Sequence, residues 1–246
     1  GSGSGDSSSI IKGGGSDLSR SGGQVKNGEV EAKKRSINLQ ALKAEQKRAE
    51  LAKLQAIKEK VEDVLASNPK LAAMKSQIQL DMTADGLRIQ IVDEQNRAMF
   101  DSGSAYVKPY MRDLLREIGL VLAEVPNRLT LEGHTDAQAF AGGDRGYSNW
   151  ELSSDRANSS RRELVAGGLP DEHVLRVQGL ASSQLFEPAD PASPANRRIS
   201  IIVMNREAEE RVLRPAAPEE PEKADPAEKH ATPVVEPIST FVPPAR

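Results

Sequence analysis

The chain has 246 residues, no cysteine, and a formal net charge of −3 from 33 basic and 36 acidic side chains. The lack of cysteine excludes disulfides, thiolate nucleophiles and thiolate metal sites together. Near-balanced charge and an aromatic content of 3% provide neither a field for a polyanion nor platforms for stacked bases, so nucleic acid is excluded as a partner.

The two ends differ from the middle. Nine of the 19 glycines fall within the first 28 residues, and eight of the 15 prolines fall from Pro215 onward. Neither end has the apolar periodicity of a core. Residues 1–36 are expected to be a flexible Gly/Ser-rich segment whose opening GSGSG, without an initiator Met, reads as an added leader. Residues 206–246 are expected to be a short helix followed by a Pro-rich disordered tail. No run reaches the roughly 20 apolar residues that cross a bilayer, and no signal peptide is visible.

Residues 37–70 predict a linker helix over Ile37 to Ala66, with Leu54, Ile57, Val61 and Val64 on one stripe. Asn68-Pro69 stops it, because proline disfavours helical geometry in the residue before it. The stripe is expected to dock on the neighbouring domain or the helix to be solvated; a spacer or dimer stalk is the alternative. The compact domain, residues 71–205, opens with a hairpin: Ile78, Leu80 and Met82 alternate with polar residues, as do Leu87, Ile89 and Ile91, with Asp85-Gly86 supplying a tight turn between. Asn96 to Ser104 is a polar loop with Met99 and Phe100 as apolar plugs. A helix begins at Pro109, buries Met111, Leu114, Leu115, Ile118, Val121, Leu122 and Val125, and stops at Pro126.

Leu129 and Leu131 mark a third strand that runs into Gly133-His134-Thr135-Asp136. A glycine-rich loop follows. Ser148 and Glu151 then have capping-box spacing at the start of a helix, whose face of Ser153, Ala157, Ser160 and Leu164 is small enough to lie close to a sheet. Gly167-Gly168 ends it. Val174, Leu175, Val177 and Leu180 form a short strand. Ile199 to Met204, apolar on both faces, is a strand inside the sheet. The fold class is α/β, an α+β sandwich: a mixed β-sheet with helices packed on one face, preceded by the linker helix.

The candidate site lies between the third strand and the helix after it. Asp136 at a strand end and Arg156 about two turns into the next helix can share one pocket, where the carboxylate takes an ammonium and the guanidinium fork takes a carboxylate. That arrangement suits a zwitterion and requires no catalysis; a structural salt bridge is the plainer reading of the same pair. Thr135 and Asn149 flank the pair as hydrogen-bonding groups. Of Arg197 and Arg198, which point to opposite faces of their strand, Arg197 is the one expected in the cleft; two solvated arginines guarding the strand start are the alternative. His134, His173 and His230 lack metal-ligand spacing. No nucleophile elbow, phosphate loop or carboxylate dyad is present, so neither an enzyme nor a metal or cofactor site is expected.

Thr135-Asp136, Asn149 to Ser153, Arg156-Ala157 and Asn196 to Arg198 together resemble the TD, N-x-x-L-S, R-A and N-R-R pattern of the OmpA-like peptidoglycan-binding domain. GLRIQIVDEQNRAMF, NWELSSDRANSSRRELVAGGL and NRRISIIV look closest to its flagellar stator (MotB-like) branch. The resemblance covers about Asn68 to Asn205. It implies an OmpA-C-like fold and a periplasmic domain of an inner-membrane protein, with the transmembrane and plug segments of that branch missing here. It implies binding of the peptidoglycan stem peptide through diaminopimelate, with Asp136 on its ammonium, Arg156 on its carboxylate, and Asn149, Thr135 and Leu152 shaping the groove. It also implies a homodimer and a MotA-like membrane subunit engaged by the missing region. The stretch between Asp136 and Asn149 is longer than in shorter family members. An outer-membrane anchor and a purely structural dimerisation domain are the competing readings, and a peptidoglycan hydrolase is the third.

Overall fold

β-Strand alternation builds one five-stranded sheet from β1 (Ile78–Thr83), β2 (Gly86–Val92), β3 (Leu129–His134), β4 (Val174–Gly179) and β5 (Arg198–Met204), in the order β1-β2-β5-β3-β4. β3 and β4 are parallel and every other pair is antiparallel. The computed structural model describes residues 18–141 and 146–214, with side chains from residue 28 onward. The chain divides into two units, Gly1–Val212 and Leu213–Arg246. Most of the Pro-rich tail, like the first residues of the Gly/Ser-rich segment, lies outside the described residues.

The last strand of the chain sits in the middle of the sheet, which accounts for its apolar run. Leu87, Ile89 and Ile91 stand beside Val203, Ile201 and Ile199, and these stand beside Leu129, Leu131 and Gly133. All eight apolar side chains are buried in one cluster with Leu114, Leu115, Ile118 and Leu122 of α3 (Pro109–Ala123) and Leu164 of α4 (Asn149–Ala166). Burial at roughly 25 cal/mol per Å² of apolar surface makes this face the main source of stability. The opposite face of the same strands carries Arg88, Gln90, Glu132, His134, Arg198 and Ser200.

α4 begins as its sequence predicts. The Ser148 hydroxyl accepts from Trp150 N–H and the Glu151 carboxylate accepts from Ser148 N–H, forming the capping box. Its small face meets the sheet at backbone distance: a Cβ on Gly133 would lie 2.0 Å from the Ser153 carbonyl oxygen. Only glycine fits there, and that contact sets the height of α4 above β3.

The hairpin is present, but its glycine has a different task from the expected one. Thr83 pairs with Gly86, so Ala84 and Asp85 make the turn and Gly86 already belongs to β2. At φ +135, Gly86 occupies a conformation that side-chain-bearing residues rarely adopt, and a Cβ there would lie 2.0 Å from the Val203 carbonyl oxygen. Close approach of β2 to β5 demands it as much as the turn does.

The linker helix is longer than expected. α1 spans Leu18–Ser67, 50 residues, or roughly 75 Å at 1.5 Å per residue, so helix replaces flexible chain over residues 18–36. Gly22, Gly23 and Gly28 lower propensity there, yet the charged and Ala-rich run from Glu29 carries the helix through. Residues 28–49 are exposed on all sides. The second half docks: Leu54, Ile57, Val61 and Leu65 are buried in the core cluster, and Val64 is partly buried against it. Asn68 separates α1 from the single turn α2 (Pro69–Ala72), accepting from Lys70 N–H at 3.1 Å as its cap. Near the other end of the docked half, Glu50 accepts from the Arg206 N–H at 2.6 Å where α5 (Arg206–Leu213) begins.

Candidate functional site

β3 delivers Thr135 and Asp136 to the upper edge of the sheet, α4 brings Asn149, Leu152 and Arg156, and the residue before β5 brings Arg197. All six line one cavity of about 350 Å³. The carboxylate and the guanidinium singled out by sequence are therefore in one pocket. Both line it without a salt bridge between them: Asp136 pairs with Arg197.

Each charge is held by its surroundings. Asp136 is 7% exposed; its Oδ1 accepts from Gln138 N–H at 3.0 Å and its Oδ2 from Arg197 Nη1 at 2.8 Å. A carboxylate oxygen has a second lone pair, so both remain able to accept from a ligand. Arg156 is 5% exposed and is anchored to a different loop, donating Nε to the Ser104 carbonyl at 2.9 Å and Nη2 to the Asp101 carbonyl at 3.2 Å. Its guanidinium carbon lies 4.9 Å from the centre of the Phe100 ring, within range of a cation–π contact. Burial is the main influence on it and lowers its pKa from the ordinary value, with Asp93 and Asp136 opposing. These partners are backbone carbonyls and a ring, with no carboxylate among them, so the positive charge of Arg156 stays available to an anion.

Arg197 joins two acids. Besides Asp136, it donates Nε to Asp93 Oδ2 at 2.9 Å. Burial lowers the Arg197 pKa, but hydrogen bonds to Asp136 and Asp93 outweigh it and hold the guanidinium above its ordinary value. Asp93 itself is raised by burial, against the pull of Met99 N–H and Arg197. The polar loop expected over 96–104 thus has a structural reason: Met99 N–H donates to Asp93 Oδ1 at 2.7 Å, Met99 and Phe100 are buried as plugs, and the loop's carbonyls grip Arg156.

The remaining side chains shape the walls. Asn149, the first residue of α4, donates Nδ2 to the Gln138 carbonyl at 2.7 Å and so ties the helix start to the loop after Asp136. Leu152 is buried and lines the cavity. Thr135 is buried too, with its backbone N–H on the Ala181 carbonyl at 2.9 Å and its hydroxyl oxygen unpaired among the described residues. The longer stretch between Asp136 and Asn149 adds Phe140 to the lining; its ring lies 5.2 Å from that of Tyr147, whose hydroxyl donates to Asp155 Oδ2 at 2.8 Å. Residues 142–145 of that stretch lie outside the described residues.

Sequence reasoning missed Asp93 and Phe140. A signal for Asp93 existed: like Asp136, it is an acid placed immediately after an apolar strand, GLRIQIVD. Nothing comparable marked Phe140, which sits in a loop without periodicity. His134, next to the site in sequence, turns away from it onto the opposite sheet face. There it is 2% exposed, with its Nε2 3.8 Å from Glu132 Oε2.

Comparison with known proteins places this geometry. The OmpA family model matches residues 99–198, which includes every one of the six cavity residues named from sequence. The chain is 45% identical over 223 residues to Motility protein B of Escherichia coli, in strain K12 and in strain O157:H7, covering 91% of this chain and 69% of each relative. A crystal structure of a MotB-like protein from Desulfovibrio vulgaris superposes with a TM-score of 0.54 at 15% identity, over 65% of this chain and 98% of that one, a likeness of fold.

Proposed function

Because the chain belongs to the motility protein B family, we propose that its body is a non-catalytic anchor that holds a flagellar stator to the cell wall by binding the peptidoglycan stem peptide at diaminopimelate. One observation carries this reading. Asp136 and Arg156, opposite in charge and positioned by different elements, face a single cavity without pairing to each other. Two such groups held apart leave room for a ligand that carries both complementary charges. The ammonium of the diaminopimelate side chain meets Asp136, and the adjoining carboxylate takes the fork of Arg156 in bidentate fashion. Phe100, Phe140 and Leu152 give the methylene chain an apolar wall. Asn149, Thr135 and Arg197 fix the loop and the acid around it. The described residues of the site supply hydrogen-bonded charges and no activated nucleophile, which suits retention of the ligand over its cleavage.

In this reading the protein works in the periplasm, as part of an inner-membrane protein, as a homodimer, and beside a MotA-like membrane subunit. α1 is then the linker between membrane and wall. Purified sacculi provide the test. The chain co-sediments with them, and Asp136→Ala and Arg156→Ala each reduce retention at least about tenfold, the scale of a lost charge-assisted contact, while each variant stays folded by circular dichroism at the temperature of the assay. Full retention by both folded variants excludes the cavity as the anchor. Release of soluble muropeptides by the wild-type chain points instead to a hydrolase.

A further inference from the structure

Asp93, the residue that follows β2, is 4% exposed and lines the same cavity. Its backbone N–H donates to the Arg197 carbonyl at 3.0 Å, and its Oδ2 accepts from Arg197 Nε at 2.9 Å while Arg197 Nη1 reaches Asp136 Oδ2 at 2.8 Å. One guanidinium is thus shared by two carboxylates. The charge balance follows from that sharing. If Arg197 served Asp136 alone, the two would form a neutral pair, and an ammonium entering the cavity would approach a carboxylate already cancelled. With Asp93 as a second claimant, the three groups keep a net negative charge beside the place where the ammonium must sit. Geometry adds to this, because a guanidinium is planar and its donors are fixed relative to one another. Holding Nε on Asp93 sets the rotation of Arg197, so that a single donor reaches Oδ2 and the fork does not straddle Asp136.

We infer that Asp93 is a positioning residue for recognition of the ligand amine: it draws off the charge of Arg197 and fixes its orientation, which keeps the Asp136 carboxylate open to an ammonium. The inference rests on the stem-peptide reading above and concerns only the amine half of the ligand. The carboxylate half belongs to Arg156, which is anchored to the Ser104 and Asp101 carbonyls and makes no hydrogen bond to Asp93.

The test compares two ligands on the full chain by calorimetric titration: the diaminopimelate-containing stem tripeptide, and the same peptide acetylated on its side-chain amine. The wild-type chain prefers the free amine. Asp93→Asn loses at least about tenfold in affinity for the free-amine peptide, the scale of a lost partner in a buried charge pair, and changes little toward the acetylated one, so the preference collapses. Arg197→Lys keeps the positive charge but cannot bridge two acids, and it reproduces the collapse. Adding Asp93→Asn to Arg197→Lys then has no further effect, since the first change has already cut the link. A merely structural role for Asp93 weakens both peptides alike and leaves their ratio at the wild-type value, which overturns the inference. Should Asp93→Asn not fold, Arg197→Lys decides alone: a wild-type ratio overturns the inference and a collapsed one supports it. A wild-type chain that binds neither peptide defeats the stem-peptide reading itself, and the inference falls with it.

Discussion

Two helices pack into the same core by opposite means. α4 comes down on β3 through Ser153 and Gly133, backbone against backbone, with Ala157 and Ser160 completing a buried face of small residues. α1 docks through the large side chains Leu54, Ile57, Val61 and Leu65, and its exposed edge is tied down by pairs such as Lys47–Glu207 at 2.7 Å. The difference concerns tolerance. A contact between backbones has nothing to yield, so it fixes position to a fraction of an ångström, whereas a stripe of aliphatic side chains can repack after a loss. The site follows the rigid seam: β3 carries Asp136 and α4 carries Arg156. α1 supplies stability and length without any residue of the cavity.

The comparison breaks most readily at Gly133. A methyl group there would lie 2.0 Å from the Ser153 carbonyl oxygen, and helix or strand must move to admit it. Gly133→Ala is expected to cost about 3 kcal/mol or more, at the upper end of overpacking penalties, and to abolish retention on sacculi even at temperatures where the protein remains folded, because Asp136 and Arg156 no longer line the cavity at the right distance from each other. A variant with near wild-type melting and full retention would show that the seam is softer than its geometry implies.

Ile57→Ala probes the other seam. Ile57 is 3% exposed, and its truncation is expected to cost roughly 2–4 kcal/mol in urea denaturation, a loss comparable to that at Gly133. Affinity for the stem peptide nevertheless stays at the wild-type value under native conditions. Stability and binding therefore separate at α1 and fall together at α4. If Ile57→Ala weakens binding of the folded protein, the docked helix communicates with the cavity and the contrast between the seams is lost.

Much of this was legible in the sequence, and for identifiable reasons. The capping box at Ser148, the alternation in β2 and β5 and the proline boundaries of α3 are local signals, read without knowing the fold. Strand alternation set Arg197 and Arg198 on opposite faces without saying which one enters the cleft; Arg197 lines the cavity and Arg198 lies on the far side of the sheet. The early start of α1 was hidden by its glycines. The task of Gly86 depends on β5, which arrives more than a hundred residues later in the chain, and no local pattern encodes that approach. The role of Asp93 was invisible for the same reason: it exists only once Arg197 has come alongside to join it to Asp136.

His134 offers the smallest and most selective test, because it sits on β3, with its ring on the face opposite the α4 seam. Burial lowers its pKa below the ordinary 6.5; Glu132 acts against this, and Arg198 and Arg88 act with it. The sign follows from proton counting. In the window beneath 6.5 the unfolded chain binds a proton that the folded chain refuses, so acid favours unfolding; the contribution is whole above 6.5 and is lost as the pH falls toward the folded value. Glu132, whose folded pKa lies below 4.5 because His134 and Gln178 offset its burial, weakens the fold only in more acid solution, which keeps the two effects apart. Urea unfolding between pH 7 and 5 is therefore expected to show stability declining by about 1.4 kcal/mol for each pKa unit of difference, and His134→Gln is expected to flatten that decline. Added salt separates this from α1, whose exposed ion pairs are worth only ~0–1 kcal/mol each and weaken by screening, whereas proton uptake at a buried ring persists. A decline that survives in His134→Gln would assign the acid sensitivity to a group other than this histidine, and β3 would then differ from α1 in rigidity alone.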